Sequence, residues 1–338
     1  MNYYEIQNQS RKLLSWFLDI RSKILDLDGE HRVYEIAEII ACNYRNLNIN
    51  FPKNEVIVSA PQITNNYFNN DSEYRKPVKD LFNLVNRELS PFVSQFYLHG
   101  SLATEDYKKG WSDLDTFMVI NGEVVLDAKK LIKLREICFN AWPIFLEITP
   151  LQHHGFIIIT ELDTKCYSNS FLPTEVFKLS LAMKNNQPTL KLLIRDDDGL
   201  SKNLLLNRLE LARESANEGI FKYHPHNGKY LLSEFRNAND SMHQLFSFLG
   251  NNMNAPIYFL DSIGKGCHKK ESFLRARSYF SDEAWSVIDK ASIIRDLWPD
   301  KEGQRYRGNA IPKWVMEILG KNYIKEAVTL WEEAVSNV

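Results

Sequence analysis

Between Phe92 and Leu162 the apolar residues change period more than once, and this limits the fold more than any other feature of the chain. "FVSQFYL" (92–98) and "DLDTFMVI" (113–120) have the β-branched and aromatic content of strands. "DAKKLIKLREICFNAW" (127–142) carries apolar residues at helical spacing, and "PIFLEIT" (143–149) and "GFIIITEL" (155–162) return to strand-like runs. Strands alternating with a helix predict an α/β (α+β) layer built on a mixed sheet with one covered face.

The flanks read differently. Leu13, Leu14, Phe17, Leu18, Ile24 and Leu25, then Val33, Ile36, Ile39 and Ile40, recur at helical spacing. A short strand, "EVIVSA", and Asn-rich turns follow, and Pro77 suits the first turn of a helix carrying Val78, Leu81, Phe82 and Val85. From about residue 170 onward every apolar run has helical spacing, punctuated by "NNQP", "HPHNGK" and "SIGKG". The expected organisation is an N-terminal helical element over 1–71, a catalytic core over 72–170 and an all-α domain over 171–338.

Aspartates weaken strands, so Asp113 and Asp115 at the opening of an apolar run need a reason. Residues two apart share one face of a strand, which projects both carboxylates together and points Leu114 into the core. Side by side they repel unless a cation sits between them. Mg²⁺ suits such a pair because it takes hard oxygen ligands, keeps several waters and borrows phosphate oxygens. Upstream, Gly100 and Ser101 end the preceding strand and open a short helix at "LATEDY". A glycine permits close backbone approach, and free N–H groups at a helix start suit phosphate. A phosphate cradle beside a divalent-metal clamp is what phosphoryl or nucleotidyl transfer requires.

With these residues, "HGSLATEDYKKGWSDLDTFMVI" resembles the Gly-Ser…Asp-x-Asp signature of the DNA polymerase β-like nucleotidyltransferase superfamily. That superfamily includes aminoglycoside nucleotidyltransferases, poly(A) and CCA-adding enzymes and cyclic-oligonucleotide synthases. The resemblance spans Phe92 to about Leu162. It implies that Gly100 and Ser101 hold the β- and γ-phosphates and that Asp113 and Asp115 bind metal. It also implies a third carboxylate from a neighbouring strand; Glu147 in "FLEITP" is the first choice and Glu161 the second. In the implied chemistry a hydroxyl attacks the α-phosphorus in line with departing pyrophosphate. Two Mg²⁺ ions about 4 Å apart stabilise the attacking and leaving oxygens, and a carboxylate such as Glu147 takes the proton.

Other residues invite a role beside a plainer alternative. His153 and His154 in "PLQHHGF" point opposite ways if extended, so one can face the cleft as base, metal ligand or substrate contact. His99 fits beneath the phosphate loop as packing. Lys269, Lys270 and Ser272 lie in the strongest basic cluster, "SIGKGCHKKESFLRARSYF", and are candidate triphosphate contacts by the same resemblance; a solvated helical face is the alternative.

Composition narrows the partners. A net charge of −2 supplies no global field toward nucleic acid or anionic lipid, and the longest apolar runs fall far short of the ~20 residues that cross a bilayer. Four scattered cysteines fit reduced thiols in the cytoplasm better than a disulfide or zinc framework. The expectation is a cytoplasmic, Mg²⁺-dependent nucleotidyltransferase with a nucleoside triphosphate donor, ATP by default, and a small-molecule hydroxyl acceptor. RNA-end or second-messenger synthesis is the alternative chemistry. A non-catalytic nucleotide-binding or toxin–antitoxin module on the same fold is the alternative from another class.

Overall fold

A computed structural model describes residues 3–23, 30–47, 52–69, 72–149, 152, 154–196, 199–221, 241–302 and 310–338. They group into two compact units. The first comprises Met1–Tyr107, Ser112–Tyr167 and Phe177–Arg195; the second comprises Lys108–Trp111, Ser168–Val176 and Asp196–Val338.

The first unit opens with α1 (Tyr3–Leu18) and α2 (Glu30–Arg45). Leu14, Phe17 and Leu18 on α1, and Ala37, Ile40, Ala41 and Tyr44 on α2, recur at three- and four-residue intervals and are buried. After β1 (Asn54–Val58) come α3 (Asn65–Phe68), α4 (Arg75–Leu84), β2 (Val93–His99), the single turn α5 (Gly100–Ala103) and β3 (Asp115–Ile120). Next are α6 (Gly122–Val125), α7 (Ala128–Ile148), β4 (Ile157–Thr160), β5 (Leu181–Ala182) and β6 (Leu190–Ile194). A mixed four-stranded sheet runs in the order β4-β3-β2-β5, with β3 and β4 parallel and the other pairs antiparallel. β1 and β6 form a separate antiparallel pair.

A parallel pair needs a crossover, and α7 supplies it between β3 and β4. Asp127 caps its start by accepting from Lys129 N and Lys130 N. Residues 143–149, expected as a strand, instead continue α7 to Ile148. Trp142, Phe145 and Ile148 extend the buried stripe of Leu131, Leu134, Cys138 and Ala141, while Pro143 lies on the exposed side. Trp142 stacks on Phe145 with centroids 5.6 Å apart. Burial of that stripe outweighs the ~3 kcal/mol that an internal proline costs.

A second difference concerns residues 174–194, expected to be helical. Thr174–Leu179 is a 3-10 segment, and β5 and β6 follow it. Leu190, Leu192 and Ile194 are buried with Lys191 exposed between them, a two-residue period that satisfies a strand.

The second unit is built from α8 (Leu200–Glu218), α9 (Ser241–Met253), α10 (Ala255–Ser262), α11 (Lys269–Ala276), α12 (Asp282–Lys301), α13 (Lys313–Leu319) and α14 (Tyr323–Ser336). Its core joins Leu205, Leu245, Leu249, Phe259, Ile288 and Leu330. Trp111 belongs to it, packing on Phe246 and Trp298. Among the described residues no helix is long and apolar enough to cross a membrane.

Candidate metal and nucleotide site

β2 and β3 are in register with His99 opposite Asp115, so the chain leaves one strand where its neighbour begins. At that exit Gly100 adopts φ +70, in the left-handed region. A Cβ there would collide with Oδ2 of Asp115 and stand 3.0 Å from its Cγ. The missing side chain therefore brings backbone directly against a site carboxylate. Thr104 N and Asp106 N then close the turn on the carbonyls of Gly100 and Ser101. Gly100→Ala is expected to cost about 1–2 kcal/mol from the backbone alone. Displacing Asp115 should lower any turnover further, on the order of 100-fold. Thermal melts run beside initial rates would separate the two effects, and a variant with wild-type rates would contradict this reading.

The strand starts two residues later than expected. Asp115 is the first residue of β3, and Asp113 precedes the strand with Leu114 fully buried between them. A side chain does what a ladder partner would otherwise do. Oε1 of the buried Gln152 accepts from Leu114 N at 3.0 Å, and its Nε2 donates to Leu114 O at 3.3 Å and to His154 O at 2.7 Å. One amide thus fixes the residue between the two aspartates and the backbone of His154. Gln152→Ala removes these partners of Leu114, each worth about 1–3 kcal/mol when a buried group is left unpaired. The expected result is a lower melting temperature together with weaker binding of divalent cations in a titration. Cation affinity equal to wild type would show that the amide does not position the carboxylates.

His154 completes the cluster. Its Nε2 lies 3.2 Å from Asp113 Oδ2 and 3.2 Å from Asp115 Oδ1, and its Nδ1 is 2.9 Å from the Gly155 carbonyl. Ligand atoms of the three residues all fall within 4.8 Å of one another, a spacing that one divalent ion can bridge. Burial disfavours the charged imidazole, but hydrogen bonds and attraction from Asp113 and Asp115 prevail and hold His154 well above its ordinary pKa. His99 behaves oppositely: burial pushes it below its ordinary value, and its Nε2 has no hydrogen-bond partner among the described residues. Two carboxylates, an imidazole and a buried unpartnered nitrogen nearby form a donor set that fits a divalent cation.

The remaining sequence candidates lie as follows. Glu147 is on the last turn of α7, not on a strand, because the helix persists through Pro143; its carboxylate is 3.5 Å from Lys76 Nζ in an exposed pair. Glu161 accepts from Gly122 N at 2.7 Å, beside Ile120 at the end of β3 remote from Asp115. Lys269, Lys270 and Ser272 are on α11 of the second unit, where the Ser272 hydroxyl donates to Lys269 O at 2.7 Å. His268 caps that helix by accepting from Lys270 N. Ser101 sits in the α5 turn, half-buried. His153 lies outside the described residues. Gln152 escaped sequence reasoning, since nothing in "PLQHHGF" signals that a glutamine reaches back to Leu114.

Residues 79–151 match the family model described as a nucleotidyltransferase domain. Comparison with curated proteins and with solved structures found no match.

Proposed function

We propose that this chain, whose residues 79–151 match a nucleotidyltransferase domain, transfers a nucleoside monophosphate from a nucleoside triphosphate to a hydroxyl of a small-molecule acceptor. Pyrophosphate is the second product. ATP is the default donor, Mg²⁺ is the ion the resemblance implies, and the cytoplasm is where we place the reaction. The observation that carries this reading is the convergence of Asp113, Asp115 and His154 beside the left-handed turn at Gly100.

Asp113 and Asp115 would hold the cation, with His154 as the third protein donor. When bound, the cation neutralises triphosphate charge and charge developing on the attacking and leaving oxygens. The chain's own groups do the remaining work. Gly100 lets the backbone pack directly against the Asp115 carboxylate, and Ser101 would offer an N–H and a hydroxyl to phosphate oxygens. Gln152 keeps the two carboxylates from splaying apart. We give Glu147 no part in holding the cation, because it is paired with Lys76. The near-neutral net charge of −2 favours a small acceptor over nucleic acid.

Incubation with α-labelled triphosphates tests this directly. Label entering a hydroxylated small molecule, with stoichiometric pyrophosphate, is the expected result. Label entering tRNA, or a product formed without any acceptor, would replace it with RNA-end or second-messenger chemistry. Metal-dependent nucleotide binding without turnover across a broad acceptor panel would favour a non-catalytic module.

A further inference from the structure

Where three carboxylates would give an all-oxygen cradle, the third donor in this site is an imidazole nitrogen. His154 reaches it from the segment leading into β4, the strand that pairs parallel with β3, so it occupies the neighbouring-strand position from which a further acidic ligand was expected. Glu147 and Glu161 are bonded elsewhere, to Lys76 and Gly122. An ion entering between the carboxylates would displace to solvent the proton that Nε2 shares with them, and the ring orientation suits that exchange. Nδ1 is held by the Gly155 carbonyl at 2.9 Å, which leaves Nε2 as the atom turned toward both carboxylates. A second bond of this kind, from the far ring nitrogen to a backbone carbonyl, is the usual support of a metal-bound histidine. His99 adds a second observation: it is buried, its Nε2 is without a partner among the described residues, and it lies opposite Asp115 across the β2–β3 ladder.

Donor chemistry then discriminates between ions. Mg²⁺ prefers oxygen throughout and gains little from imidazole. Two carboxylates and phosphate oxygens still make an oxygen-rich octahedron, unlike the nitrogen- and sulfur-rich sets that draw zinc or copper. We infer that His154 coordinates the resident ion through Nε2 and tilts this site from Mg²⁺ toward a manganese-class ion, Mn²⁺ or Fe²⁺. This deepens the nucleotidyl-transfer reading and rests on it.

The full chain titrated with Mn²⁺ and with Mg²⁺, with and without a non-hydrolysable triphosphate, gives the two affinities. Electron spin echo on the Mn²⁺-loaded chain reports nitrogen coordination without reference to activity. The expected result is ¹⁴N modulation in the wild type that disappears in His154→Asp, with the Mn²⁺:Mg²⁺ affinity ratio falling on the order of tenfold or more. His154→Gln, an uncharged replacement, provides a second variant should His154→Asp fail to fold. Mn²⁺ bound without ¹⁴N modulation, modulation that persists in the variants, or an unchanged affinity ratio would overturn the inference. If the wild type nonetheless binds Mn²⁺ or Mg²⁺, and Asp113→Asn/Asp115→Asn does not, the nucleotidyl-transfer reading survives that failure. If the wild type binds neither ion with triphosphate present, both fall together.

Discussion

Converting Asp113 and Asp115 together to asparagine is expected to reduce nucleotidyl transfer by on the order of 10³-fold, about 4 kcal/mol of transition-state stabilisation, while leaving the fold intact. Asparagine has nearly the same shape and keeps one carbonyl oxygen, yet it removes both negative charges that would bind a cation. Each aspartate side chain is 24% exposed, so neither amide is forced into an apolar setting. His154 loses two charged partners, and the mutual repulsion of the carboxylates disappears with them, two changes in stability that oppose one another. Label-transfer rates measured beside circular-dichroism melts check both halves. Turnover within about tenfold of wild type would remove the basis of the proposed function.

The largest stability change should come from a residue outside the site. Asp163 is 2% exposed and accepts from Gln7 Nε2 at 2.9 Å, Tyr44 hydroxyl at 3.2 Å, and Thr160 N and hydroxyl at 2.8 Å. It also attracts the Arg11 guanidinium electrostatically. This one carboxylate therefore ties α1 and α2 to the end of β4. Asp163→Ala strands several buried donors and weakens the electrostatic support of Arg11 at once, and removing one partner of such a network costs about 3–5 kcal/mol. Denaturant unfolding would register the loss as a lower midpoint; a change under about 1 kcal/mol would mean that water or rearranged side chains replace the carboxylate.

Much of the catalytic layer could be read from local pattern. Strand-like runs at 92–98, 113–120 and 155–162 and helical spacing at 127–142 are short-range signals, and the structure has strands and a helix there. Pro143 misled because a proline after a helical run ordinarily marks its end. What kept the helix going was burial of Trp142, Phe145 and Ile148, which depends on surfaces far away in sequence. β5 and β6 were missed for the same reason: β6 finds its partner in β1, over a hundred positions earlier. At the site, the Asp-x-Asp spacing and the Gly-Ser turn announced their neighbourhood. The bond from Gln152 to Leu114 did not, because a side chain standing in for a ladder strand leaves no periodicity behind.

The parallel pairing of β3 with β4 has a consequence for how the chain acquires its chemistry. The two aspartates and Gly100 meet through the antiparallel β2–β3 contact, which spans a modest loop, whereas the contacts of His154 and Gln152 close a longer loop that contains α7. Contacts closing longer loops form later. On that ordering the acidic hairpin is expected to form before the His154 and Gln152 contacts, and divalent-cation binding is expected to track completed folding. Synthesis in a metal-depleted medium should yield a chain that reaches its native state and is loaded afterwards.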